Sequence, residues 1–147
     1  IDAGQVAASD IRTIAQGRLG VKLIIVDHLG RIGGIHRESR VLEVGHVARA
    51  LKSLAKDLQC TVVTLCQLNR RVEGADEKEP RLDDLRESGE IEQEADSVLF
   101  LWTDEKDRGQ AKMPGYVTVA KNRHGPTGKV RTIFDKAGRQ IVTGILV

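Results

Sequence analysis

Val21-Lys22-Leu23-Ile24-Ile25-Val26-Asp27 is an apolar run, rich in β-branched residues, that stops on an acid. It reads as a buried strand, and the segment after it decides the fold. Gly30, Gly33 and Gly34 punctuate a loop. Val44, Val47, Ala48, Leu51, Leu54, Ala55 and Leu58 then recur at three- and four-residue steps, which predicts one long helix over Arg40–Leu58. Thr61-Val62-Val63-Thr64-Leu65-Cys66 gives a second apolar strand ending at Gln67. Two such strands joined through a helix make a βαβ unit. Its parallel pair is expected to be covered on both faces, with a right-handed crossover.

Working outward, Ser9 is the expected N-cap of a first helix carrying Ile11, Ile14, Ala15 and Leu19, and Gly20 its end. Downstream, residues 70–94 hold five basic and ten acidic side chains. Residues 70–90 are too charged for a core element, so a long surface loop with a helical turn near 83–86 is expected. Ser97–Trp102 reads as a third strand, and 116–120, 130–134 and 140–142 as further strands. A turn-rich hairpin loop over 121–129 joins the first two of these. Residues 121–131 carry four basic side chains and no acid. That asymmetry fits an interface or anion site, and equally a solvated basic hairpin.

The 147 residues, 40% of them hydrophobic and 30% charged, suffice for one domain with a core and not for two. No apolar stretch reaches the roughly 18 residues that a membrane-spanning helix needs, and no secretory leader pattern opens the chain. A net charge of +2 argues neither for nor against a polyanion. Cys60 and Cys66 read as reduced core thiols of a cytoplasmic protein. Phe100, Trp102, Tyr116 and Phe134 are too few to suggest a platform for stacked bases. His28, His36, His46 and His124 lack metal-ligand spacing, and Glu38 and Glu43 read as solvated charges at a helix end. The chain opens at Ile1 and not at Met, so a piece of a longer protein is expected.

Chemistry is expected beyond the carboxyl ends of parallel strands. Asp27, after four apolar residues, has the pattern of a Walker B acid. Such a carboxylate holds Mg²⁺, usually through water, beside nucleotide phosphates; an Asp at that place also serves as a helix cap or turn former. Gln67 could bond a γ-phosphate or an attacking water, or simply stabilise its turn. The phosphate-binding pattern G-x-x-x-x-G-K-[ST] is missing: Gly128-Lys129, the one Gly-Lys pair, is followed by Val130 and has Arg123 where the first glycine belongs. By itself the chain is not a complete P-loop ATPase.

Three motifs together carry a resemblance. Asp83-Asp84-Leu85-Arg86-Glu87-Ser88-Gly89-Glu90-Ile91-Glu92-Gln93-Glu94-Ala95-Asp96 resembles the D-L-R-E-S-G-x-I-E-Q-x-A-D stretch of DnaB-type replicative helicases. Cys66-Gln67-Leu68-Asn69-Arg70 resembles their S-Q-L-N-R, and Lys121-Asn122-Arg123-His124-Gly125-Pro126-Thr127-Gly128 their K-x-R-N-G-P-x-G. Order and spacing match as well, from residue 21 to 134.

The resemblance implies an α/β, RecA-like fold: a mainly parallel sheet with flanking helices and a C-terminal β-hairpin extension. Residues 1–147 would form a single partial ATPase domain, with the phosphate loop and catalytic glutamate lying before Ile1. It further implies ATP and Mg²⁺ as cofactors, with Asp27 positioning the metal and Gln67 sensing the γ-phosphate. Lys121 and Arg123 would reach into a neighbouring subunit's ATP site as catalytic and nucleotide-binding groups, and Arg86, Glu87 and Gly89 would line a channel for single-stranded DNA. The implied partners are further copies in a hexameric ring, a primase and a helicase loader.

The chain departs from the family in having His28-Leu29-Gly30 where Tyr-Leu-Gln is usual, Cys66 for Ser, and His124 for Asn. A complete helicase would hydrolyse ATP, and this chain alone is expected to be inactive. The alternatives are a non-hydrolysing RecA-like binding or scaffold module, and a recombination- or clock-type ATPase of the RecA family.

Overall fold

The computed structural model describes residues 6–33, 40–68, 79–85, 88–103 and 109–146. Helix α1 (Ala8–Gln16) precedes strand β1 (Leu23–Val26), a 3-10 turn (Leu29–Arg31), helix α2 (Arg40–Leu58) and strand β2 (Thr61–Thr64). A second 3-10 turn (Leu82–Asp84) leads to helix α3 (Ser88–Glu94), then to strands β3 (Ser97–Trp102), β4 (Lys112–Asn122), β5 (Gly128–Asp135) and β6 (Gln140–Leu146). The chain divides into two compact units, one drawn from residues 1–68 and 85–95 and the other from 69–84 and 96–147.

In the first unit β1 and β2 pair in parallel, Leu23 opposite Thr61 through Val26 opposite Thr64. The apolar stripe of α2 supplies Val44, Val47, Leu51 and Leu54 to a core completed by Val26, Leu29, Ile32 and Ile91, with Ile24, Val62 and Cys66 packed at its margin. Only one side of the strand pair is covered among the described residues. On the other side Leu23, Ile25, Val63 and Leu65 are exposed, Ile25 by 65%. Of the two faces expected to be covered, the described residues cover one; a continuous apolar run says that both faces suit burial, not which residues cover them.

Helix α1 starts earlier than its sequence suggests. Ala7, not Ser9, is the N-cap; Asp10 accepts the Ala7 N–H at 2.9 Å, while Ser9 lies inside the helix and its carbonyl accepts the Thr13 hydroxyl. Arg12 reaches Asp57 of α2 at 2.7 Å.

The helical turn expected near 83–86 is the 3-10 turn Leu82–Asp84, and helix α3, which was not expected, starts in the last three residues of the expected 70–90 loop and runs past it. Its anchors are Ile91, buried against α2, and an ion pair between Glu90 and Arg49. A single inward apolar residue in one short helix leaves no period to read.

The second unit is an antiparallel meander in the order β3-β4-β5-β6. Parallel pairing among the described strands is therefore confined to β1 and β2, less than a mainly parallel sheet suggests. The short connections between β4 and β5 and between β5 and β6 suit antiparallel neighbours, because a parallel pair needs a long crossover. The strands run longer than local propensity implied. Residues 121 and 122 belong to β4 and 128 and 129 to β5, so the hairpin loop contracts to 123–127. Val98 and Phe100 are buried on one face of β3, while Leu99 and Leu101 on the other are each 57% exposed.

Candidate functional site

Asp27 and Gln67 leave the same end of the parallel pair. The ladder carries on past the strands: the Leu65 N–H donates to the Val26 carbonyl at 3.0 Å, and the Leu29 N–H to the Leu65 carbonyl at 2.9 Å. Burial alternates on both segments. Val26 and Cys66 turn toward the core, while Ile25, Asp27, Leu65 and Gln67 are exposed. Both polar groups thus stand clear of the face that α2 covers. The Asp27–His28 peptide is cis, and His28 Nδ1 accepts the Gly30 N–H at 3.1 Å, opening the 3-10 turn that brings Leu29 into the core.

The basic pair sits at the head of the β4–β5 hairpin. Lys121 is the penultimate residue of β4 and lies opposite Val98 of β3; Arg123, exposed, begins the turn. The Arg123 N–H donates to the Asp96 carbonyl at 2.7 Å, and its guanidinium lies 3.3 Å from the Asp96 carboxylate. Asn122 organises the turn from within. Its amide donates to the Pro126 carbonyl at 3.2 Å and its Oδ1 accepts the His124 N–H at 3.3 Å. A Cβ on residue 125 would stand 2.8 Å from that amide nitrogen, so a side chain there would push the Asn122 amide off its bond to Pro126.

Of the residues expected to meet DNA, Arg86 and Glu87 lie outside the described residues. Gly89 sits in the first turn of α3, exposed and facing open space. The approach to this stretch is ordered by a reciprocal pair: the Arg81 N–H donates to the Asp84 carboxylate at 2.8 Å, and the Asp84 N–H to the Arg81 carbonyl at 2.9 Å.

Sequence reasoning did not single out Asp96, Asn122 or Glu79. Glu79 accepts from the Thr118 hydroxyl at 3.0 Å and from the Lys129 ammonium at 2.9 Å. The Lys129 hydrogen bond is the main reason its carboxyl is held below the ordinary value; desolvation opposes this, and Thr118 and the charges of Lys129 and Arg81 reinforce it. Trp102 and Tyr116 stack with ring centroids 4.5 Å apart, and the Lys129 ammonium lies 5.3 and 5.1 Å from them. In sequence Glu79 is one of ten similar acids between residues 70 and 94, and nothing local marks it.

A model of the DnaB-like helicase C terminal domain matches residues 2–142. The chain belongs to that family. Among its DnaB relatives, the replicative DNA helicase DnaB of Haemophilus influenzae is 38% identical over 141 residues, covering 91% of this chain and 30% of that protein. The DnaB of Geobacillus stearothermophilus is 40% identical over 150 residues, covering 96% and 33%. The chain therefore spans about a third of the length of these relatives. A solved DnaB-like replicative helicase, described with its interactions with primase, superposes with a TM-score of 0.84 at 31% identity, covering 97% of this chain and 36% of that one. A second solved structure, an ATPase domain, superposes with a TM-score of 0.85 at 30% identity, covering 97% and 53%. The fold of this DnaB-like chain is accordingly RecA-like α/β.

Proposed function

We propose that the chain is the part of a replicative helicase motor that carries the magnesium acid, the γ-phosphate sensor, a DNA-contact loop and a trans-acting basic hairpin. In this reading residues 1–147 make a single partial ATPase domain, and the complete protein unwinds duplex DNA by moving along single-stranded DNA as a hexameric ring in the cytoplasm. A primase and a helicase loader are its implied partners. The observation that carries the reading is the exit of Asp27 and Gln67 from one end of the parallel pair, both on its exposed side.

The donor set fits the cofactors. Asp27 offers hard carboxylate oxygens at the carboxyl end of a parallel strand, suited to Mg²⁺ held through water. Gln67 presents a neutral amide that can donate to a phosphate oxygen without adding charge. When bound, ATP and Mg²⁺ supply the phosphoryl group and the charge that these side chains meet. Lys121 and Arg123, on a hairpin away from that edge in sequence, act on a neighbour's nucleotide. There a guanidinium stabilises charge on the phosphoryl oxygens. Backbone amides near Gly89, together with Arg86, contact DNA phosphates without reading sequence, and this suits a segment otherwise rich in acids.

The test uses the full-length natural protein. Subunits carrying Asp27→Ala and subunits carrying Arg123→Ala are each expected to lose ATP hydrolysis stimulated by single-stranded DNA. Mixed rings are expected to regain part of it, because some interfaces then pair an intact Asp27 with an intact Arg123. Failure of mixed rings to recover, or robust hydrolysis by residues 1–147 alone, overturns the reading.

A further inference from the structure

We propose that Glu79 is a positioning residue for the β4–β5 hairpin that presents Lys121 and Arg123; the inference rests on the trans-acting role given to that hairpin above. Thr118 and Lys129 face each other across β4 and β5, and the ladder between the two strands ends one pair later, at Val119 opposite Gly128. Beyond that pair β4 is still held by β3, with Lys121 opposite Val98 and Asn122 opposite Ser97. Among the described residues the β5 arm pairs with β6 from Val130, opposite Leu146, and the turn before Gly128 is tied back by the Asn122 amide on the Pro126 carbonyl, so the span from Gly128 to Lys129 has β4 alone as its strand neighbour. The Glu79 carboxylate closes the hairpin just inside this limit: one oxygen accepts from Thr118 on β4 and the other from Lys129 on β5.

The surrounding groups make the clasp directional. Trp102 on β3 donates its indole N–H to the Thr118 hydroxyl at 3.0 Å, so that hydroxyl accepts from one side and donates to Glu79 on the other. A chain of hydrogen bonds therefore runs from β3 through β4 to the carboxylate and on to β5. Lys129 is confined further by its position over the Trp102 and Tyr116 rings. A carboxylate that uses both oxygens on two strands sets their spacing in a way that a one-point surface ion pair does not. An arginine acting on a transferring phosphoryl group depends on such control, since small displacements of a catalytic group cost much of its effect.

The test is steady-state ATP hydrolysis by the full-length protein with single-stranded DNA. Glu79→Gln is expected to lower kcat about tenfold while the KM for ATP moves less than about threefold, because the defect lies in placing the hairpin and not in holding the nucleotide. Thr118→Val, which keeps the side-chain shape, and Lys129→Met are expected to do the same, and combining Glu79→Gln with Lys129→Met to cost no more than either alone. In an Arg123→Ala background Glu79→Gln is expected to lower kcat by a smaller factor than in the unmodified protein, because Lys121 alone of the two hairpin cations is left to misplace. If Arg123→Ala lowers kcat while Glu79→Gln and Thr118→Val both leave it within about twofold of the unmodified protein, the clasp is overturned and the hairpin's role stands. An undiminished effect of Glu79→Gln in the Arg123→Ala background also overturns it. Should Arg123→Ala itself leave kcat unchanged, the trans-acting role fails, and the clasp's function fails with it.

Discussion

Asp96 holds Arg123 at two points, by its carbonyl on the backbone N–H at 2.7 Å and by its carboxylate 3.3 Å from the guanidinium. The two contacts differ in kind. The first fixes where the turn starts; the second is an ion pair between side chains that are each nearly half exposed. Pairs of that exposure contribute at most about 1 kcal/mol, whereas a guanidinium on a phosphate gains charge-assisted and often bidentate hydrogen bonds. On the trans-acting role proposed above, Arg123 would exchange Asp96 for phosphate at little cost. Asp96→Asn is expected to change the stability of the full-length protein by less than about 1 kcal/mol and its saturated ATP hydrolysis by less than about twofold. Arg123→Ala is expected to cost about 10³-fold or more. Denaturant titration and steady-state kinetics on the two variants check the contrast, and a comparable loss from both would contradict it.

Glu79 gives the second unit an acid-sensitive contact. Its carboxyl lies below the ordinary value of 4.5 in the folded chain, first because of the Lys129 hydrogen bond. The unfolded chain thus takes up the proton more readily than the folded one, so the clasp contributes fully above that ordinary value. Its contribution fades as the pH falls through the lowered one. With the Glu79 side chain 41% exposed, solvent screening keeps the effect below about 1 kcal/mol. Thermal midpoints measured between neutral and acidic pH should fall less steeply for Glu79→Gln than for the unmodified protein. Parallel curves would show that the carboxylate does not titrate with folding.

The legible parts of this fold are those with a repeated pattern. Helix α2 carries seven apolar residues at helical steps, and its observed bounds match the expected ones. Strand β3 is equally plain. Helix α3 is not, because Ile91 alone points to the core from seven residues. Pro114 and Gly115 depress strand propensity, and β4 extends through them because pairing with β5 outweighs local preference. The exposed face of β1 and β2 is hidden for another reason: Leu23 and Ile25 read as core from composition alone. Among the candidate residues, Asp27 and Gln67 stand out by residue type at strand ends, and Lys121 and Arg123 by the motif that holds them. Glu79 and Asp96 depend on contacts spanning 27 to 50 residues of chain, which no local window contains.

The packing of α2 makes a direct prediction. Leu54 is 1% exposed at the centre of the first unit's core, while Leu42, on the same helix, is 48% exposed. Leu54→Ala is expected to destabilise by about 2–5 kcal/mol, combining lost transfer energy with a residual cavity. Leu42→Ala is expected to change stability by less than about 0.5 kcal/mol, alanine being the better helix former. Denaturant midpoints of the two variants measure the difference. Equal costs would mean that Leu42 is covered by residues outside those described.

Thr132 offers a stabilising change. The residue is 3% exposed on β5, and its hydroxyl finds no hydrogen-bond partner among the described residues. Burying such a group forfeits its bonds to water without replacement, a penalty of about 1–3 kcal/mol. Valine has nearly the same shape, the same branching at Cβ and a strong preference for strands. Thr132→Val is therefore expected to raise stability by about 1 kcal/mol, seen as a higher denaturant midpoint with an unchanged slope. Thr132→Ser, which keeps the hydroxyl and removes the methyl group, is expected to lower it, because the buried polar atom stays and apolar contact is lost. A destabilised valine variant would mean that the Thr132 hydroxyl is bonded to a water or to residues beyond those described.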